Sequence, residues 1–74
     1  MSPIQDIRKA SGLSQAALAK LLAVTQSTIS QYERGEIRPD IAKAIQLVSL
    51  GKRHGRRYRI EDLYQPELKE ADHA

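Results

Sequence analysis

The 74 residues include no cysteine, tryptophan or phenylalanine, and the three aromatic side chains are all tyrosine. Without cysteine there is neither a disulfide framework nor a cysteine-ligated zinc site to support a small core, and the redox compartment stays open. Without large aromatics the core must be assembled from Leu, Ile, Val and Ala, which favours packed helices over a sandwich or barrel. No apolar run approaches the roughly 20 residues of a membrane span, and the opening MSPIQDIRKA holds no apolar leader segment. No glycine-rich phosphate loop occurs, and the hydroxyls of Ser27, Thr28 and Ser30 have no neighbouring histidine to act as a base. His54 and His73 are too isolated for a metal site. These absences point away from an enzyme, a metal or cofactor site, a small-molecule ligand and a membrane protein. They point toward one small all-α domain in the cytoplasm whose function sits on its surface.

What charge there is falls unevenly. Residues 1–59 hold 11 Lys/Arg against 4 Asp/Glu, a net +7, whereas residues 60–74 hold 1 against 5, a net −4, and the whole chain is +3. A basic body with an acidic end attracts polyanions, of which nucleic acid is the commonest, although a basic surface alone can be mere solvation. The expected organisation is a domain over residues 1–65 followed by a frayed acidic tail, 66–74.

Helix signals then follow one another closely. Ser2 reads as an N-cap, with Pro3 at the first helical position, Gln5 closing a capping box, and Ile4, Ile7 and Ala10 facing inward. Gly12 suits a left-handed stop. Ser14 caps a second helix in which Leu18, Leu21 and Leu22 recur at i, i+3, i+4, while Ala16, Ala17 and Ala19 are packing positions. Ala23-Val24-Thr25 interrupts that pattern, and Thr25 caps a third helix over 26–34, ended by Gly35. Pro39 is expected to open a fourth helix with the apolar stripe Ile41, Ala44, Ile45, Leu47 and Val48, and Gly51 to end it. Ile60 and Leu63 fold a short closing segment back on the core, giving four to five helices in all.

Two helices joined by about three residues cross steeply, the second braced on the first. With Gln26 at zero on a helical wheel, Ser30, Ser27 and Gln31 fall at about 40°, 100° and 140°, and Ile29 and Tyr32 at about 300° and 240°. One face is therefore apolar, with Tyr32 read as a core position, and the other is a row of short uncharged hydrogen-bonding groups. Such a row suits the major groove of DNA, where carboxylates meet phosphate repulsion and Gln and Ser read donor and acceptor patterns.

The stretch Gln15 to Gly35 resembles the helix-turn-helix domains of the phage Cro and repressor family, including small Cro-like and YdaS-type regulators. The likeness rests on Gln15, Leu18, Ala19, Leu22, Val24, Ile29 and Tyr32 and the ending Gln31-Tyr32-Glu33-Arg34-Gly35, and extends from about Ile4 to Leu50. The family commonly has Gly where this chain has Ala23, at a left-handed position that costs Ala roughly 1–2 kcal/mol.

The resemblance implies a lambda-repressor-like fold and a sequence-specific transcriptional regulator, a Cro-like repressor of phage or prophage type, acting in the bacterial cytoplasm or nucleoid on double-stranded DNA. The outward row Gln26, Ser27, Ser30 and Gln31 supplies the candidate base contacts. The resemblance puts Gln15 and Thr25 at phosphate-holding helix N-termini and pairs Arg8 with Glu33 as a structural ion pair, while Arg34 and Arg38, flanking the loop after the third helix, are candidate phosphate clamps. A module this small reads few base pairs, so a homodimer on a palindromic operator is expected, seated on the fourth helix and the segment after Gly51. The run KRHGRRYR, with Lys52, Arg53, Arg56, Arg57 and Arg59, is a candidate arm along flanking DNA, a dimer element or a charged loop. Two alternatives stay open: an antitoxin-type protein-interaction module with secondary DNA binding, and non-specific or RNA binding through KRHGRRYR with Tyr58 stacking.

Overall fold

Every one of the first four helices begins on a short polar side chain that captures an otherwise unpaired backbone N–H. In the computed structural model, which describes residues 2–64, these caps are Ser2 to the Gln5 N–H (3.2 Å), Ser14 to Ala17 (3.0 Å), Thr25 to Thr28 (3.1 Å) and Asp40 to Lys43 (2.9 Å). They open α1 (Pro3–Ala10), α2 (Gln15–Leu22), α3 (Gln26–Glu33) and α4 (Ile41–Arg53), and α5 (Ile60–Tyr64) closes the domain. No strand occurs among the described residues. The acidic tail 66–74, with His73, lies outside them.

Two boundaries differ from the sequence expectation. Pro39 does not open α4, which starts at Ile41 behind the Asp40 cap, because a carboxylate both accepts the orphan N–H and favours the helix dipole, and Pro39 is buried one position before that cap. Gly51 does not end α4, which runs on to Arg53 and turns at Gly55, with φ of +78°. The Arg56 N–H then returns to the Gly51 carbonyl at 2.8 Å. A Cβ on Gly51 would lie 2.8 Å from the Arg56 carbonyl oxygen and 3.1 Å from Ile7 Cγ1, so this glycine permits a close crossing inside the helix.

The core is Ile4 and Ile7 of α1, Leu18, Ala19 and Leu22 of α2, Ile29 and Tyr32 of α3, Ala44, Leu47 and Leu50 of α4, and Leu63 of α5. Helix α1 packs against α3, α4 and α5, while α2 packs on α3. Leu21 (55% exposed), Ile41 (58%) and Ile45 (48%) are not core residues as their spacing suggested. The inner face of α4 is set by Ala44, Leu47 and Gly51, and Ile41 and Ile45 are rotated from it by about 90° and 130°. Ala16 is likewise exposed and Ala10 half-buried, so neither is a full packing position.

Candidate nucleic-acid interface

The α2–α3 turn is built on one left-handed residue. Ala23 has φ of 59° and ψ of 42°, and the Val24 N–H reaches back to the Ala19 carbonyl at 2.9 Å. This closes the end of α2 within two residues and lets Thr25 start α3 at once, with Ile29 and Tyr32 driven into the core. The opposite side of α3 is left to solvent, with Gln26 and Ser27 exposed and Ser30 and Gln31 half-exposed. Eight residues make a rod about 12 Å long, comparable with the width of the major groove.

Behind this face runs a chain of side chains from α1 to the start of α3. The guanidinium of Arg8 grips Glu33 with Nε on Oε2 and Nη2 on Oε1 (3.3 Å), and Nη1 donates to the Leu13 carbonyl (3.1 Å). Glu33 Oε1 also accepts from Gln15 Nε2 at 3.1 Å. A carboxylate can only accept, so the Gln15 amide must turn its NH₂ toward Glu33 and its oxygen outward. That oxygen meets Gln26 Nε2 at 3.5 Å. The pair is largely enclosed, with the side chains of Arg8 and Glu33 13% and 6% exposed.

Arg34, which caps the end of α3, is exposed but held in place by its neighbours. It forks onto Glu36 with Nε at 2.7 Å and Nη2 at 3.2 Å, and its Nη1 donates to Ser30 Oγ. The contact holds the Glu36 carboxyl below the usual carboxylate range and raises the Arg34 guanidinium further. Arg38 is exposed on the loop after α3, beside Gly35 and Tyr32. Burial, and then the Asp40 carboxylate, push the Tyr32 phenol above its usual value.

The basic run after α4 is divided. Lys52 and Arg53 end α4 and are exposed, as is Arg57, whereas Arg56 is drawn onto α1 by Asp6 (Nε–Oδ2 3.1 Å). The Tyr58 hydroxyl donates to the same carboxylate at 2.7 Å and its ring packs on the core, so Tyr58 is not presented for stacking on a base. Arg59 lies 3.8 Å from Glu61 on the surface. The Tyr58 hydrogen bond, with Arg56 beside it, keeps the Asp6 carboxyl below its ordinary range, and the same contact raises the Tyr58 phenol. His54 caps α4 in solvent, and no metal-ligating cluster occurs among the described residues.

Sequence reasoning passed over Asp6, Leu13 and Glu36. Asp6 has the look of an ordinary first-turn acid, and the Leu13 carbonyl carries no sequence signal. Glu36 follows Arg34 by two residues, a spacing that is visible in the sequence but does not reveal the fork.

No curated protein and no solved structure gives a significant match to this chain. The helix-turn-helix family pattern matches residues 4–52, more than half of the sequence, from the first core isoleucine into the last turn of α4. The matched stretch contains the capped α2, the left-handed turn at Ala23 and the polar-faced α3, and the chain belongs to the Cro/C1-type helix-turn-helix family of DNA-binding transcription regulators.

Proposed function

We propose that this protein is a Cro-like repressor that occupies a palindromic operator as a dimer, with α3 in the major groove. The observation that carries this reading is the solvent face of α3, where Gln26, Ser27, Ser30 and Gln31 stand exposed or half-exposed and carry no charge. Gln26 and Gln31 pair with adenine through N6 and N7, and Ser27 and Ser30 serve neighbouring base edges. The relay from Arg8 through Glu33 and Gln15 supports Gln26, so Gln15 braces a reading residue as well as lying at the α2 N-terminus, where backbone N–H groups favour phosphate. Thr25 at the α3 N-terminus and Arg38 on the following loop hold the flanking backbone.

One α3 reads only a few base pairs, which argues for two copies on half-sites about 34 Å apart. Ile41 and Ile45 on α4 are exposed, and Leu21 of α2 lines one shallow groove with Ile45, which offers apolar surface for the second copy. Operator occupancy excludes polymerase, and a DNA partner places the protein in the cytoplasm or nucleoid.

The experiment is binding-site selection with wild-type protein and Gln31→Ala. An adenine preference that relaxes at one position per half-site supports the reading, and a motif unchanged by the substitution contradicts the placement of α3.

A further inference from the structure

Arg34 occupies a position from which the sequence suggests a phosphate clamp, yet its side chain is folded over the reading face. On the α3 wheel it falls at about 80°, between Ser30 at about 40° and Ser27 at about 100°. The direction of its guanidinium is set from two sides. Glu36 takes Nε and Nη2 on its two oxygens, and Ser30 Oγ takes one N–H of Nη1. A guanidinium has five N–H groups. Three are engaged here, and the two that remain lie one on each terminal nitrogen. A pair of donors from Nη1 and Nη2 is what guanine accepts at O6 and N7, the commonest specific contact between a protein and a base.

The geometry points to Arg34 as a base-reading residue, presented to a guanine in the major groove, with Glu36 as the positioning residue that aims it. This rests on the placement of α3 in the groove and extends it by naming a fifth reading residue and its base. A phosphate also accepts two donors from a guanidinium, so what favours a base is the hold of Ser30 on Nη1, which keeps the guanidinium on the outward face of α3. The Glu36 carboxylate, already paired with Arg34, brings its negative charge to the DNA face in neutralised form, which reduces its repulsion from the phosphates. Both side chains are about half exposed, at 57% and 50%, so replacing them does not open the core.

The test is binding-site selection at one stated salt concentration with wild-type protein, Arg34→Lys and Glu36→Gln, with thermal melting as the control for folding. Lysine keeps the charge and loses the two-pronged edge. The wild-type motif is expected to contain one guanine per half-site whose preference falls about ten-fold or more in Arg34→Lys, while the adenine positions persist. Glu36→Gln is expected to weaken the same guanine preference several-fold without altering the other positions. A wild-type motif that Arg34→Lys leaves unchanged at every position shows that Arg34 reads no base and overturns the assignment alone. A featureless wild-type pool overturns the major-groove placement, and the Arg34 assignment with it.

Discussion

Removing Arg8 is the sharpest test of how the interface is held together. The Arg8 guanidinium is the only cation on Glu33 among the described residues, and the Glu33 side chain is 6% exposed. In Arg8→Ala the carboxylate keeps the Gln15 amide, at 3.1 Å, and loses both guanidinium bonds, while the Leu13 carbonyl loses its donor. Breaking an enclosed pair from one side costs about 3–5 kcal/mol, and the surviving Gln15 contact puts this case near the lower limit, at about 3 kcal/mol. For a domain of this size that corresponds to a drop of roughly 12–24 °C in Tm. Because whole domains are stable by only about 5–15 kcal/mol, Arg8→Ala should be measured by urea denaturation in the cold as well as by melting. The companion variant replaces both partners, Arg8→Met with Glu33→Leu. With no charge left enclosed it should recover most of the loss, since apolar replacement of an enclosed pair is often close to neutral. A stability change in Arg8→Ala below about 0.5 kcal/mol, the range of ordinary surface substitutions, would refute the reasoning.

Three further substitutions probe separate parts of the structure. Ala23→Gly should stabilise the fold by about 0.5–1 kcal/mol in denaturant unfolding, because glycine relieves the left-handed strain at φ of 59° and returns part of the gain as unfolded-state entropy; a loss of stability would contradict this. Gly51→Ala should destabilise by about 1–3 kcal/mol, since the new methyl meets the Arg56 carbonyl and Ile7, less up to about 1 kcal/mol regained as helix propensity. A more stable Gly51→Ala would show that the chain does not cross α4 there. Asp6 is held below its ordinary range by Tyr58 and then Arg56, so its contribution is complete above the unfolded carboxyl value near 4 and lost as pH falls through the lower folded value. The stability of the wild type should therefore fall more steeply in acid than that of Asp6→Asn, and parallel pH profiles would sink the Asp6–Tyr58 clasp.

The parts of the fold that the sequence made legible are those written in local chemistry. Ser2, Ser14 and Thr25 cap helices as their side chains require, Gly12 and Gly35 take positive φ after α1 and α3, and the polar and apolar sides of α3 separate at 100° per residue. What was not legible depends on contacts across the chain. Gly51 looks like a helix stop until Arg56 and Ile7 are seen on either side of it. Ile41 and Ile45 read as core until the position of α1 fixes which side of α4 faces inward. Arg56 and Tyr58 look like part of a free basic run, but Asp6, far away in sequence, binds both. At the interface the outward residues of α3 were readable by periodicity. The bracing of Gln26 through Gln15 and the fork of Arg34 on Glu36 required the folded positions of three helix ends.

Selection of binding sites by the wild-type protein from a random duplex pool tests whether α3 reads a specific operator. It should be run at one fixed salt concentration near physiological, since phosphate contacts make affinity strongly salt-dependent. The predicted result is a palindrome whose half-sites are centred about one helical turn apart, with adenine and guanine at the positions facing α3. A pool that stays featureless while the protein binds DNA would contradict operator reading by α3 and assign the binding to the basic surface alone.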